Sequence, residues 1–395
     1  MASLFTNNNI FKTFFRSEAA GGILLFLCVI VSLLIANSSY GDAFERLLLT
    51  EAGFENTIIH LRYSLLLWIN DGLMAIFFLL VGLEIKREVV GGELFSFKRA
   101  ALPVIAAAGG AIVPAILYIL STKGTNASGG WGIPMATDIA FALAVLSMLG
   151  KRVPASLKIF LAALAIADDL MAILVIAVFY SGGIHLGYLL LAGLVFFLMM
   201  LLNKAGVKNL FFYLVPALFL WYFIHHSGIH ATIAGVLTAF VIPADSLSAG
   251  LSPLVRLEHF LVRPVNFFIM PLFALANTNI VIDTGLLDGL CSPLGVGIVV
   301  GLLIGKPVGV TLFSWLMVKM GWAELPSGMR WTHIVGLGIL AGIGFTMSVF
   351  IALLSFNDPV LQMEAKLAVL VASTVAGGVG YWLLRGASGS AKVLP

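Results

Sequence analysis

Charge is what this sequence has least of. Asp, Glu, Lys and Arg make up 10% of its 395 residues, against about a quarter in an average soluble domain. With 61% hydrophobic residues beside that scarcity, a soluble globule is excluded, because a chain this short could not bury so much apolar side chain. No Lys/Arg block is long enough to grip nucleic acid. Cysteine is nearly absent as well: Cys28 and Cys291 are the only two. They are far apart, one mid-span and one in a loop, so neither a disulfide nor a Cys-based metal site is expected, and nothing points to a resident cofactor.

What is present is apolar run after apolar run. A bilayer core of about 30 Å needs roughly twenty apolar residues in a helix, and about twelve such spans can be placed. They centre near 17–37, 63–84, 100–121, 130–150, 156–180, 186–203, 209–225, 229–243, 264–278, 293–318, 331–356 and 363–385. The expected fold is therefore an all-α integral membrane protein, one transporter unit over 1–395 set in the lipid bilayer. Lys12 and Arg16 before an apolar run resemble a secretory signal, but eleven further spans make a retained first helix the better reading. Seventeen of the 22 Lys and Arg fall on the side holding both termini, four on the other, and one, Lys306, inside a span. By the positive-inside rule the termini are cytoplasmic and the protein sits in an inner membrane.

Spans four and eleven differ from the rest. Span four reads G-W-G-I-P-M-A-T-D-I-A-F, with Gly132, Pro134, Thr137 and Asp138 in its first half; span eleven reads L-G-I-L-A-G-I-G-F-T-M-S, with Gly338, Gly342 and Gly344 near its middle. Glycine in membrane helices also serves close packing. Matched interruptions in corresponding places, with charges beside them, instead predict inverted-topology repeats with two discontinuous helices at a mid-membrane site. Residues 100–180 and 293–385 then form the repeat core, with 17–84 and 229–278 as panel helices for an interface. The loop over 45–60 carries two short semi-apolar runs around Ala52-Gly53. It reads equally as a periplasmic hairpin, which would suit a homodimer contact, or as a plain loop.

The deepest clue is charge where there should be none. A charge at a helix centre costs roughly 2.5–3.5 kcal/mol on insertion scales. Together Asp138, Asp168, Asp169 and Lys306 would cost on the order of 10 kcal/mol, as much as the net stability of a whole domain. A structural salt bridge needs one acid and one base; three acids and one base leave a negative surplus that suits a small cation. Asp168 and Asp169 point about 100° apart on one helix. One can meet Asp138 and Thr137, the other Lys306. Carboxylates, a Thr hydroxyl and freed carbonyls are the oxygen ligands a hard cation such as sodium takes. Burial and a neighbouring carboxylate both favour the protonated acid, so the same pair can trade protons for the ion. Whether Asp168 or Lys306 carries the second proton is left open by the residues alone. Asp71, in L-L-L-W-I-N-D-G-L-M, reads as a pathway residue or a helix-packing polar group.

These segments resemble the NhaA-type sodium/proton antiporters over nearly the full length. The matching stretches are W-I-N-D-G-L-M-A-I-F-F-L-L-V-G-L-E-I-K-R-E, I-P-M-A-T-D-I-A-F-A-L, K-I-F-L-A-A-L-A-I-A-D-D-L, H-A-T-I-A-G-V, R-L-E-H, P-L-F-A-L-A-N, G-L-L-I-G-K-P-V-G and G-I-G-F-T-M-S. That family is itself a standard example of inverted repeats with broken helices. The resemblance implies electrogenic, pH-activated exchange of sodium or lithium for protons by alternating access. It places the ion on Asp168 and Asp169, with Asp138 and Thr137 supporting and Lys306 as partner of the first aspartate. It maps the pH response onto Glu84, Arg87, Glu88, Glu258, His259 and His230. One departure stands out: R-L-E-H continues F-L-V-R-P, so Val262 falls where a second His is common and Arg263 where Pro is.

Other classes fit less well, and no enzyme is expected. An intramembrane aspartyl protease takes its acids from different spans, and Phe345 stands where its G-x-G-D would need Asp. A P-loop fails because Gly301 is one residue too close to Gly305-Lys306, and Pro307 replaces Ser/Thr. Titratable acids at discontinuous helices suit alternating access better than a channel. The remaining alternative is a proton- or sodium-coupled carrier of a small organic solute, which would call for a roomier, more polar site.

Overall fold

The computed structural model describes residues 8–56, 60–245 and 251–389. Among them, eight helices are long and apolar enough to cross a bilayer: Leu65–Gly91, Ala100–Ser121, Ser128–Met148, Ala155–Phe179, Leu186–Lys204, Pro253–Asn277, Pro293–Lys319 and Pro359–Ala387. Two bent pairs bring the number to ten. Ala20–Ala36 turns by 112° into Gly41–Leu49, and Trp331–Ala341 by 45° into Phe345–Ser355. Where the sequence predicts spans over 209–225 and 229–243, the helices are shorter, Phe211–His226 with 16 residues and Ile233–Val241 with 9.

Helix starts follow local chemistry. Ser252 and Ser292 each accept the N–H three residues on, and each is followed by a proline that needs no donor partner at the first helical position. The Ser252 cap explains why this helix begins at Pro253 rather than near 264. Its first turns, P-L-V-R-L-E-H-F, are amphipathic and invisible to a search for apolar runs.

Two helices loosen by one π-turn just before a proline, over Val265–Ile269 and Gly301–Gly305. Pro271 and Pro307 lack the N–H that the carbonyls of Phe267 and Leu303 would take in an α-helix, so the ladder resets there. Lys306 follows the second π-turn directly.

Between Leu49 and Leu65 the chain forms a two-stranded antiparallel hairpin, β1 (Glu51–Glu55) with β2 (His60–Ser64), Gly53 opposite Arg62. Residues 57–59, at the tip of the loop predicted over 45–60, lie outside the described residues, as does Lys392 at the C-terminal end.

The described chain divides into two compact units. One takes the chain up to Cys28, Ala101–Asp168 and Asp283 onwards; the other takes Val29–Ala100 and Asp169–Ile282. In the first, Gly109 and Gly309 bring two helices together main chain to main chain. A methyl on Gly309 would sit 2.1 Å from the Gly109 carbonyl oxygen, and one on Gly110 would reach Lys306 Cε at 3.7 Å. That approach packs the lysine stem against a helix with no side chain in the way. In the second unit, Gly235 of H-A-T-I-A-G-V lies against Ala75, where a methyl would meet its carbonyl oxygen at 2.1 Å. That segment therefore serves packing.

Candidate functional site

Span four is interrupted as its composition predicts. A tight 3₁₀ stretch, Ser128–Met135, gives way to extended backbone at Ala136 and Asp138 before the helix Ile139–Met148 resumes. Span eleven breaks at Gly342-Ile343-Gly344. Each break strips main-chain groups of their helical partners, and in an apolar surrounding every one needs another.

The two breaks supply each other. Asp138 donates its N–H to the Ile343 carbonyl at 2.7 Å. Thr137 donates its hydroxyl to the Ala341 carbonyl at 2.9 Å, and Ser348 to the Ile133 carbonyl at 2.7 Å. The Asp138 carboxylate takes donors from both resumed helices. Oδ1 accepts from Phe141 N at 3.0 Å, and Oδ2 accepts from the Thr346 hydroxyl at 2.5 Å and the Thr346 N–H at 3.1 Å. Phe345 N–H goes to the Ser373 hydroxyl at 3.1 Å.

Electrostatics follow the same lines. Helix N-termini carry partial positive charge and C-termini partial negative charge. Asp138 sits where Ile139–Met148 and Phe345–Ser355 begin, and so neutralises two N-termini. Lys306 Nζ donates to the carbonyl of Met135, the last residue of the 3₁₀ stretch, and so neutralises a C-terminus.

Lys306 also pairs with Asp168, Nζ to Oδ2 at 2.6 Å, with neither side chain exposed. Thr137 lies beside this carboxylate too. Asp169 is the next residue on the Ala155–Phe179 helix and is 2% exposed. Of the predicted ion-site residues, Asp138, Thr137, Asp168 and Lys306 are thus gathered within one unit, and Asp169 adjoins them along the helix.

The residues predicted for a pH response divide. Arg87 bonds both Glu88, at 3.0 Å, and Glu258, which is 1% exposed on the Pro253–Asn277 helix. Glu84 lies one helical turn before Glu88. His259 is exposed, and Val262 is half-buried. His230 stands apart from these contacts, donating from Nε2 to the Tyr180 carbonyl at 2.6 Å. Asp71, inside a π-turn over Trp68–Leu73, is paired with His225 at 3.3 Å. The preceding residue, Asn70, exchanges amide hydrogen bonds with Asn277 at 2.7 and 3.2 Å.

Sequence reasoning missed Thr346, Ser348, Ser373 and His225. The signal for the first two was available. Hydroxyls directly after a Gly-x-Gly break, in G-F-T-M-S, are the groups a broken helix needs to satisfy stranded main chain.

With this geometry in place, comparison with known proteins is decisive. The sequence profile described as Na+/H+ antiporter 1 matches residues 12–384. The chain belongs to the Na+/H+ antiporter 1 family. Among similar proteins, the Na(+)/H(+) antiporter NhaA 2 of Flavobacterium johnsoniae is 61% identical over 379 residues, covering 96% of this chain and 93% of the relative. The Na(+)/H(+) antiporter NhaA of Dechloromonas aromatica is 51% identical over 377 residues, covering 94% and 95%. That of Flavobacterium psychrophilum is 49% identical over 379 residues, covering 95% and 96%. As a multi-pass member of the Na+/H+ antiporter 1 family, the chain carries its family-like segments at two kinds of place. I-P-M-A-T-D, A-D-D, G-K-P and G-I-G-F-T-M-S build the break and its ion pair, whereas H-A-T-I-A-G-V and P-L-F-A-L-A-N hold helices together.

Proposed function

We propose that this protein is an electrogenic antiporter that extrudes sodium or lithium across a bacterial inner membrane in exchange for protons. The observation that carries the reading is the unexposed Asp168–Lys306 pair, with Asp169 beside it on the helix and the Thr137–Asp138 turn adjoining.

In the state described, the ammonium holds Asp168. A sodium ion reaching Asp168 and Asp169 competes with that ammonium and with bound protons for the same oxygens. Protons arriving from the other side reverse the exchange and restore the pair. A low-dielectric surround makes each of these competitions steep. Exchange is electrogenic when the protons carry more charge than the sodium they replace. Alternating access follows from an inverted-repeat core over 100–180 and 293–385, its two broken helices crossing at mid-membrane. Panel helices over 17–84 and 229–278 and the hairpin would serve a homodimer. Twelve spans leave both termini cytoplasmic. The Glu84, Arg87, Glu88, Glu258 and His259 group, with His230, would tune activity upward at alkaline pH, with a profile altered by Val262.

A solute carrier is the weaker reading, because the polar groups at the break are small and bonded to one another. The test is sodium-induced dissipation of a preset pH gradient in proteoliposomes, for wild type and Asp169→Asn, across roughly pH 6–9, where buried carboxylates can exchange protons. Wild type should collapse the gradient and the variant should not. A wild type indifferent to sodium and lithium at every pH would refute the reading.

A further inference from the structure

The bonds joining the two broken helices are not alike. Three of them, from Asp138 N–H, the Thr137 hydroxyl and the Ser348 hydroxyl, run from uncharged donors to main-chain carbonyls. Thr346 instead delivers two donors, its hydroxyl and its N–H, to one oxygen of the Asp138 carboxylate. It is 1% exposed, as is Asp138.

We propose that Thr346 is a positioning residue for ion exchange. Its hydroxyl holds the Asp138 charge at the two helix N-termini, on the turn that lies beside Asp168. The inference rests on the exchange reading given above. Removing the hydroxyl leaves the three carbonyl bonds, the Phe141 cap and the Thr346 N–H in place, so the break keeps its course. What is lost is the lateral hold on the carboxylate, and with it the fixed position of the Asp138 charge on the turn that adjoins Asp168. The consequence falls on how well sodium competes for the site, more than on how fast a loaded transporter turns over.

The experiment measures the sodium concentration for half-maximal gradient dissipation in proteoliposomes for wild type, Thr346→Val, Thr346→Ala and Thr346→Ser. A hydrogen bond to a charged group is worth about tenfold or more in an equilibrium. The hydroxyl-free variants should therefore need about tenfold more sodium, with a smaller change in maximal rate per transporter. Thr346→Ser, which keeps the hydroxyl, should return most of the way to wild type. The proposal is overturned if half-saturation is unchanged, if only the maximal rate falls, or if Thr346→Ser is as impaired as Thr346→Val. It is also overturned if neither hydroxyl-free variant accumulates in the membrane while Thr346→Ser does, which would make the hydroxyl a folding element. A wild type that ignores sodium sinks the exchange reading itself and this inference with it; an active wild type beside unaffected variants sinks the inference alone.

Discussion

Lys306 stands between two acceptors, Asp168 and the Met135 carbonyl, in a place with no exposure. Removing one partner of such a pair leaves the other charged and alone, at a cost of about 3–5 kcal/mol. Lys306→Met should therefore lower the thermal midpoint of the purified protein sharply. Lys306→Met combined with Asp168→Asn should lower it by less than the two single changes summed. Additive losses would mean the pair is not coupled. At Arg87 the expected loss is smaller, because Arg87 is one-third exposed and Glu88 stays nearby. Arg87→Met still strands Glu258, which is 1% exposed. Acid, by protonating an unpaired carboxylate, should recover part of that variant's midpoint and none of the wild type's. A deficit that is flat with pH would argue against a stranded charge.

Elements are positioned here by what they omit. Spans four and eleven omit helical hydrogen bonds, and the stranded groups of each become the partners of the other. The Gly109–Gly309 contact omits side chains, so that two helices touch main chain to main chain and the Lys306 stem fits against Gly110. Gly309→Ala must push carbonyl and methyl apart, an overpacking worth typically 1–3 kcal/mol. It should depress both the thermal midpoint and the transport rate. Gly378→Ala, in a helix where a methyl meets nothing within 4 Å, is the matched control and should be neutral or slightly stabilising, since Ala outranks Gly as a helix former. Equal effects at the two positions would show that close approach is not what glycine supplies at 309.

For the whole molecule, the ion gradients set which way an antiporter runs, while the expected orientation of its two faces rests on seventeen basic residues against four. Cys291 offers a direct check. It is exposed, and in the twelve-span topology proposed above it precedes the Pro293–Lys319 helix on the side opposite the termini, whereas Cys28 is partly covered within the first helix. A membrane-impermeant maleimide applied to whole cells, with the outer membrane permeabilised, should label the protein through Cys291, and Cys291→Ser should abolish the labelling. Labelling seen only in everted vesicles would reverse the orientation.

Much of this was legible in residues alone. Apolar length dictated membrane helices, because hydrocarbon admits no unsatisfied backbone. The cost of buried charge singled out Asp138, Asp168, Asp169 and Lys306, and glycine and proline marked where spans four and eleven would break. Helix ends set by caps were less legible: Ser252 starts a helix about three turns before its apolar stretch, where hydrophobicity is silent. Partner choice was not legible from the chemistry of the residues alone. Adjacent aspartates face different directions, and only the family resemblance pointed to Asp168 as the partner of the lysine; the packing of Pro293–Lys319 brings the two together. Thr346, Ser348 and Ser373 are ordinary hydroxyls in sequence. They acquire their roles only because the fold brings stranded main-chain groups within their reach, and hydrogen bonds of about 3 Å depend on a placement that only the assembled helices define.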